Sequence, residues 1–126
     1  MTRWLPSMAG VVAGTVALAV PGGARAADNE AGRKLYLRDC ASCHGATGKG
    51  DGEESMYLTP PPQDFTTGIL DKRSDEFLTT VISKGGAAKG LSASMPASPK
   101  LSAADLKNLV AHVRFLGKAG GSKPTK

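Results

Sequence analysis

Cysteine occurs only twice in the 126 residues, at positions 40 and 43. Two thiols cannot build a disulfide framework. A structural zinc site takes roughly four protein ligands, and the chain offers only these two thiols and two histidines, with His112 remote from the pair in sequence. Long apolar runs are also missing: the leading one, Ala9 to Val20, contains Gly10 and Gly14 and falls well short of the roughly 20 residues needed to cross a bilayer. Aromatics are scarce, and beyond the first 26 residues they are Tyr36, Tyr57, Phe65, Phe77 and Phe115. A small domain with so few large side chains has little core of its own. No segment alternates as a β-strand and no internal repeat is present, which leaves an all-α fold. No Ser-His-Asp set and no paired carboxylates in a cleft-like context speak for hydrolytic catalysis. The Gly-x-Gly-x-Gly pattern at Gly48 to Gly52 follows no strand and opens no helix, which excludes a nucleotide loop.

What the chain does have is Cys40-Ala41-Ser42-Cys43-His44. On a helix these three side chains stand at i, i+3 and i+4, so two sulfurs and one imidazole project from a single face. A dithiol redox centre would expect a βαβ context, whereas the residues after His44 form a Gly-rich loop. The spacing points instead to covalent attachment of one haem c, with thioethers at Cys40 and Cys43 and His44 as the proximal iron ligand. A large apolar cofactor would also supply the missing core.

The first 26 residues read as a cleavable secretory leader, with Arg3 before the apolar run and Ala24-Arg25-Ala26 as the cleavage site. A single arginine before that run gives no twin-arginine signal, and no cysteine at the cut permits a lipid anchor. Export to the periplasm is the expectation, with no membrane span after cleavage. Residues 27–118 then make one domain, and 119–126 make a flexible basic tail. Losing Arg3 and Arg25 takes the formal charge from +5 to +3.

Three segments carry helical periodicity. The first runs from about Asn29 to Cys43, capped by Asp28 or Asn29, with Gly32, Leu35, Tyr36, Asp39, Cys40 and Cys43 along one side. The second follows Ser74, with Asp75 and Glu76 in its first turn and Phe77, Leu78, Val81 and Ile82 as its apolar face, until Gly85 and Gly86. The third follows Ser102, whose pairing with Asp105 resembles a capping box, and its stripe of Leu106, Leu109, Val110, Val113 and Leu116 ends at Gly117. Between the first two, Gly45 to Arg73 is too rich in Gly and Pro for a long regular element. A loop of that length usually wraps something, here the haem edge.

The run Gly32-x-x-Leu35-Tyr36-x-x-x-Cys40-Ala41-x-Cys43-His44-Gly45, the later Ser94-Met95-Pro96-Ala97 and the final amphipathic helix together resemble a small monohaem class I cytochrome c. The resemblance covers the chain from residue 27 onward. It implies a bundle of three to five short helices with long loops, in which the first and last helices cross and the haem lies between the attachment segment and a methionine loop. Met1 and Met8 fall in the leader, leaving Met56 and Met95 for the distal position. Met95, in a Gly/Ala/Ser-rich loop backed by Pro96, is the expected iron ligand opposite His44, and Met56 is expected to pack near the haem. The resemblance puts His112 where the last helix packs against Gly32, so it reads as a crossing residue and not as a ligand. It further implies that a proline carbonyl, from Pro60, Pro61 or Pro62, accepts from the proximal imidazole.

An iron closed by His44 and Met95 leaves no position for substrate, so the expected role is one-electron relay by a monomeric carrier that is not itself a catalyst. Lys49, Lys72, Arg73, Lys84, Lys89 and Lys100 would offer a basic rim to acidic redox partners. The charges are too scattered for nucleic acid. Two other readings stay open: a haem subunit of a periplasmic dehydrogenase or oxidase complex, and a gas-binding haem protein with a labile distal ligand.

Overall fold

Asp28 starts the first helix. Its carboxylate accepts from the backbone N–H groups of Glu30 at 2.9 Å and Ala31 at 3.0 Å, satisfying donors that a helix leaves free at its N-terminus, and α1 runs Asn29–Asp39. The computed structural model describes residues 26–121 together with the isolated positions 1, 2, 10 and 14. The leader, apart from its last residue and those isolated positions, and residues 122–126 of the expected tail therefore lie outside the described residues.

The single helix expected from Asn29 to Cys43 is in fact two. Backbone geometry breaks at Cys40 (φ −124°, ψ −31°), and α2, Ala41–His44, is one turn set at a new angle. The reason is Tyr36, whose hydroxyl donates to the Gly45 carbonyl at 2.6 Å in the interior. Nine residues along a straight helix would put that carbonyl about 14 Å away, so the chain must turn back for the bond to form.

Downstream, Gly45 to Arg73 contains three short 3-10 turns, Ser55–Tyr57, Phe65–Thr67 and Ile69–Lys72. α3 spans Asp75–Lys84: the Ser74 hydroxyl accepts from Phe77 N–H at 3.1 Å, and Gly85 ends the helix at φ +87°. A fourth 3-10 turn, Gly86–Lys89, leads into the Met95 loop. α4 is Ala103–Gly121. It opens with the reciprocal pair read from sequence, Asp105 N–H to Ser102 Oγ and Ser102 N–H to Asp105 Oδ2, both 3.1 Å.

α4 does not stop at Gly117. That glycine is a contact rather than a terminator: a Cβ there would lie 3.1 Å from Leu70 Cδ1 and 3.3 Å from the Phe65 carbonyl oxygen, and at Gly120 it would meet Thr66 Cβ at 2.2 Å. Bare backbone on this side of α4 lets the Phe65–Thr67 turn lie directly against it. The next turn is clamped by Arg114, which donates to the Leu70 carbonyl at 2.6 Å, to the Arg73 carbonyl, and through Nε to Asp75 at 2.9 Å. One α4 side chain thus fixes the Ile69–Lys72 turn and the start of α3.

The α1–α4 crossing is the main packing contact. Gly32 lies in it, where a Cβ would fall 2.0 Å from the Asn108 carbonyl oxygen. Two bonds pin the crossing: Asp28 N–H donates to Asn108 Oδ1 at 2.8 Å, and His112 Nδ1 lies 3.0 Å from Asn29 Oδ1. The buried core is Tyr36, Leu70, Leu78, Ile82, Leu109, Val110, Val113 and Leu116, so α3 contributes two residues and α4 four. Among the described residues there is no strand, and no helix is long and apolar enough to cross a membrane. The fold is all-α.

Candidate functional site

α2 is only one turn long, yet its end is fully tied. A helix terminus leaves its last four carbonyls without partners. Here each is taken up by the glycine-rich segment that follows: Ala41 O by Gly45 N–H at 2.8 Å, Ser42 O by Glu54 N–H at 2.9 Å, Cys43 O by Gly52 N–H at 3.1 Å and His44 O by Gly50 N–H at 2.8 Å. Such close return requires glycine at 52, where a Cβ would stand 2.2 Å from the Ser42 oxygen. The Gly48 to Gly52 pattern is therefore a backbone clasp on the Cys40–His44 segment.

Cys40, Cys43 and His44 are brought together on this clasped turn. Neither thiol is in a disulfide. Burial, reinforced by Asp39 and Cys43, pushes the Cys40 thiol up to about 11. Burial and a contact with Glu54 Oε2 at 3.4 Å raise Cys43 as well. Both thiols stay protonated at neutral pH, the opposite of the depressed thiol in a Cys-x-x-Cys redox centre.

His44 is half-buried, and its ring lies against Phe65 with centroids 4.8 Å apart and planes 21° from parallel. Burial holds its pKa below the ordinary histidine value, with the Gln63 backbone opposing the shift, so the neutral, ligating imidazole is favoured. Nδ1 is buried and makes no hydrogen bond of ordinary geometry. The proline carbonyls expected to serve it do not: the Pro62 carbonyl faces Gly50, where a Cβ would come within 2.3 Å of its oxygen, and the backbone beside His44 is that of Gln63.

Met95 is carried by a separate element, a loop latched to the end of α3. Gly86 N–H donates to the Met95 carbonyl at 3.0 Å, Met95 N–H to Ser92 O at 3.2 Å, and Ser98 N–H to Ile82 O at 3.0 Å. Its side chain is half-buried. Met56 is 76% exposed on the Ser55–Tyr57 turn, and Tyr57 beside it is 80% exposed. The turn is held by backbone bonds of its own, Tyr57 N–H to Glu54 O at 3.1 Å and Leu58 N–H to Ser55 O at 3.1 Å, which do not require its side chains to face inward. His112 is 2% exposed at the helix crossing, its ring 5.2 Å from that of Tyr36. A ring committed to that contact is not available as a ligand.

Among the described residues no group of three or more His, Cys, Asp or Glu side chains is placed to hold a bare metal ion. The donor set instead suits a covalently tethered haem: two free, protonated thiols and a neutral imidazole on one turn. Sequence reasoning missed Phe65 and Arg114 as parts of this arrangement. Phe65 carried a weak signal, being one of few aromatics, whereas Arg114 acts on backbone carbonyls that leave no trace in residue type.

Comparison with known proteins agrees. The sequence model of the cytochrome c family, described as "Cytochrome c", matches residues 29–117. Cytochrome c-554(547) of Halothiobacillus neapolitanus is 33% identical over 92 residues, covering 72% of this chain and 99% of that protein. Among solved structures, a chain of the Kuenenia stuttgartiensis reducing HAO-like protein complex superposes with a TM-score of 0.62 at 26% identity, covering 79% of this chain. This chain spans 47% of the length of that one. With the family model matched from α1 through to Gly117 and the Cys-x-x-Cys-His turn at its site, the chain belongs to the cytochrome c family, whose domain carries a covalent haem c and serves haem-based electron transfer.

Proposed function

We propose that this chain is an exported one-electron carrier whose single haem c is attached through Cys40 and Cys43, with iron held between His44 and Met95. The observation that carries the reading is the clasped turn: Cys40, Cys43 and His44 share it, both thiols are free and protonated, and His44 is neutral. Each thiol would add across one vinyl group of the porphyrin, sulfur to one carbon and its proton to the other, so attachment is redox-neutral. Haem c bound there would supply the Fe(III)/Fe(II) couple. The protein's own part is to keep the frame stiff between oxidation states. Four backbone bonds on α2 and the Gly86–Met95 latch on the opposite loop do so. A thioether from Met95 favours ferrous iron and so raises the potential.

The exposed cations Lys49, Lys72, Arg73, Lys84, Lys89 and Lys100 support docking to acidic redox partners, and such steering weakens with ionic strength. Removal of the leader after Ala26 is checked by N-terminal sequencing of the exported protein. The ligation is tested with Met95→Ala in the haem-loaded protein. The ferric methionine-to-iron charge-transfer band should disappear, the potential should fall, and the iron should take up exogenous imidazole. Unchanged ligation would sink the Met95 assignment. A second reading, haem subunit of a larger enzyme complex, is favoured by the match to half of a chain from such a complex. Copurification of a stoichiometric partner would decide for it.

A further inference from the structure

We propose that Phe65 is the positioning residue of the His44 imidazole, its ring setting the plane in which the axial ligand is presented. The inference rests on His44 being an iron ligand.

An axial histidine usually has its ring plane fixed by a hydrogen bond from its other nitrogen to a carboxylate or carbonyl. In this chain that nitrogen, Nδ1, is buried and has no bond of ordinary geometry. The Gln63 backbone lies beside the ring but makes no bond of ordinary geometry to it, so packing limits rotation about the Cβ–Cγ bond of His44. The Phe65 ring covers one face of the imidazole in a stacked arrangement, at 4.8 Å and 21°. An offset stack is an attractive geometry for two such rings, and turning the imidazole out of it would drive its edge into the phenyl face.

Phe65 can act in this way because it is itself immobilised from several sides. Its N–H donates to Gly48 O at 2.8 Å. Its ring faces Gly48, where a Cβ would stand 3.0 Å from Cδ2, and its carbonyl lies against Gly117 of α4. The turn it begins is capped by Asp64, whose Oδ1 accepts from Thr66 N–H at 2.8 Å and Thr66 Oγ1 at 2.6 Å, and Gly120 admits Thr66 against α4. The glycines at 48, 117 and 120 thus serve one end, a close seat for the turn that presents Phe65. The orientation of the imbedded ring then reaches His44 from α4 by direct contact.

The test uses haem-loaded protein. Phe65→Leu keeps an apolar side chain and removes the stacking face; Phe65→Tyr keeps the face. In ferric electron paramagnetic resonance, which reads the orientation and uniformity of the axial imidazole, the Leu variant should shift the low-field signal and spread it into more than one component. The Tyr variant should retain the wild-type signal. A Leu variant that is folded by circular dichroism and gives the wild-type signal overturns the proposal, and so does a Tyr variant as altered as Leu. If the Leu variant fails to load haem, the wild-type ferrous protein still decides. Nuclear Overhauser contacts between the Phe65 and His44 ring protons support the stack, and their absence refutes it. Failure of the underlying ligation is read separately: His44→Gly would then leave the optical spectrum unchanged, whatever residue stands at 65.

Discussion

Replacing Gly32 with alanine tests whether the α1–α4 crossing is held as closely as the structure shows. In an exposed helix the change would stabilise by about 0.8–1.0 kcal/mol through backbone entropy. Here the added Cβ falls 2.0 Å from the Asn108 carbonyl oxygen, 2.6 Å from its carbon and 3.1 Å from His112 Cβ. Backbone atoms cannot swing aside, so the helices must part by more than about 1 Å to restore ordinary carbon–oxygen contact near 3.3 Å. That parting breaks the Asp28–Asn108 and Asn29–His112 bonds, now 2.8 and 3.0 Å. Overpacking costs about 1–3 kcal/mol and two lost hydrogen bonds about 1 kcal/mol each. After the propensity gain, about 3 kcal/mol of net destabilisation remains. In a domain of about 100 residues this lowers Tm by more than about 10 °C. Thermal unfolding of the haem-loaded protein, followed by far-ultraviolet circular dichroism, measures it, with Lys34→Ala on the exposed side of α1 as the control. A Gly32→Ala protein that melts with or above the wild type would refute the close crossing.

Tyr36→Phe removes the hydroxyl that turns the chain back at Cys40. The Gly45 carbonyl it leaves still accepts from Gly48 N–H at 3.1 Å, so the loss is one buried hydrogen bond, about 1 kcal/mol, seen as a lower urea midpoint at unchanged slope; no shift in midpoint would contradict the role given to this bond. His112 gives a pH dependence. Burial, with Arg33 adding to it and Glu30 opposing, holds its pKa below the ordinary value. The unfolded chain therefore takes up a proton first, near its ordinary pKa of about 6.5: the contribution is complete above that pH and is lost as pH falls through and below it. Melting temperatures measured at a series of pH values should fall less steeply below neutrality in His112→Phe than in the wild type. The lowered carboxylates, Glu30, Asp39, Asp64 and Asp105, lose stability in the same direction, so the difference between the two proteins isolates the histidine. Parallel slopes would count against it.

Features that reside in local residue chemistry were legible in the sequence. Asp28, Ser74 and Ser102 each cap the helix they precede, because a side-chain acceptor two or three residues before free N–H groups needs nothing distant to act. The Cys-x-x-Cys-His turn is likewise read from spacing alone. What failed depended on contacts far along the chain. Gly117 looks like a helix stop, but the Phe65–Thr67 turn covers it and α4 continues to Gly121. One amphipathic stretch through Cys43 became two helices because a tyrosine hydroxyl found a carbonyl nine residues on.

The division of labour among the glycines follows from the same distinction. Those around the site do two physically different things. Gly52 admits a backbone oxygen that any Cβ would strike, and it completes the clasp on α2. Gly32, Gly117 and Gly120 lie within helices at negative φ, where glycine weakens the helix by about 1 kcal/mol each against alanine. A helix tolerates that loss only if the contact it permits returns more, and at each of these positions another backbone or turn lies closely against α1 or α4. The contacts converge on the same place. α1 reaches the attachment turn through Tyr36 and Gly45, and α4 reaches it through Phe65 and His44. The turn that carries Cys40, Cys43 and His44 is thus stiffened from both crossing helices.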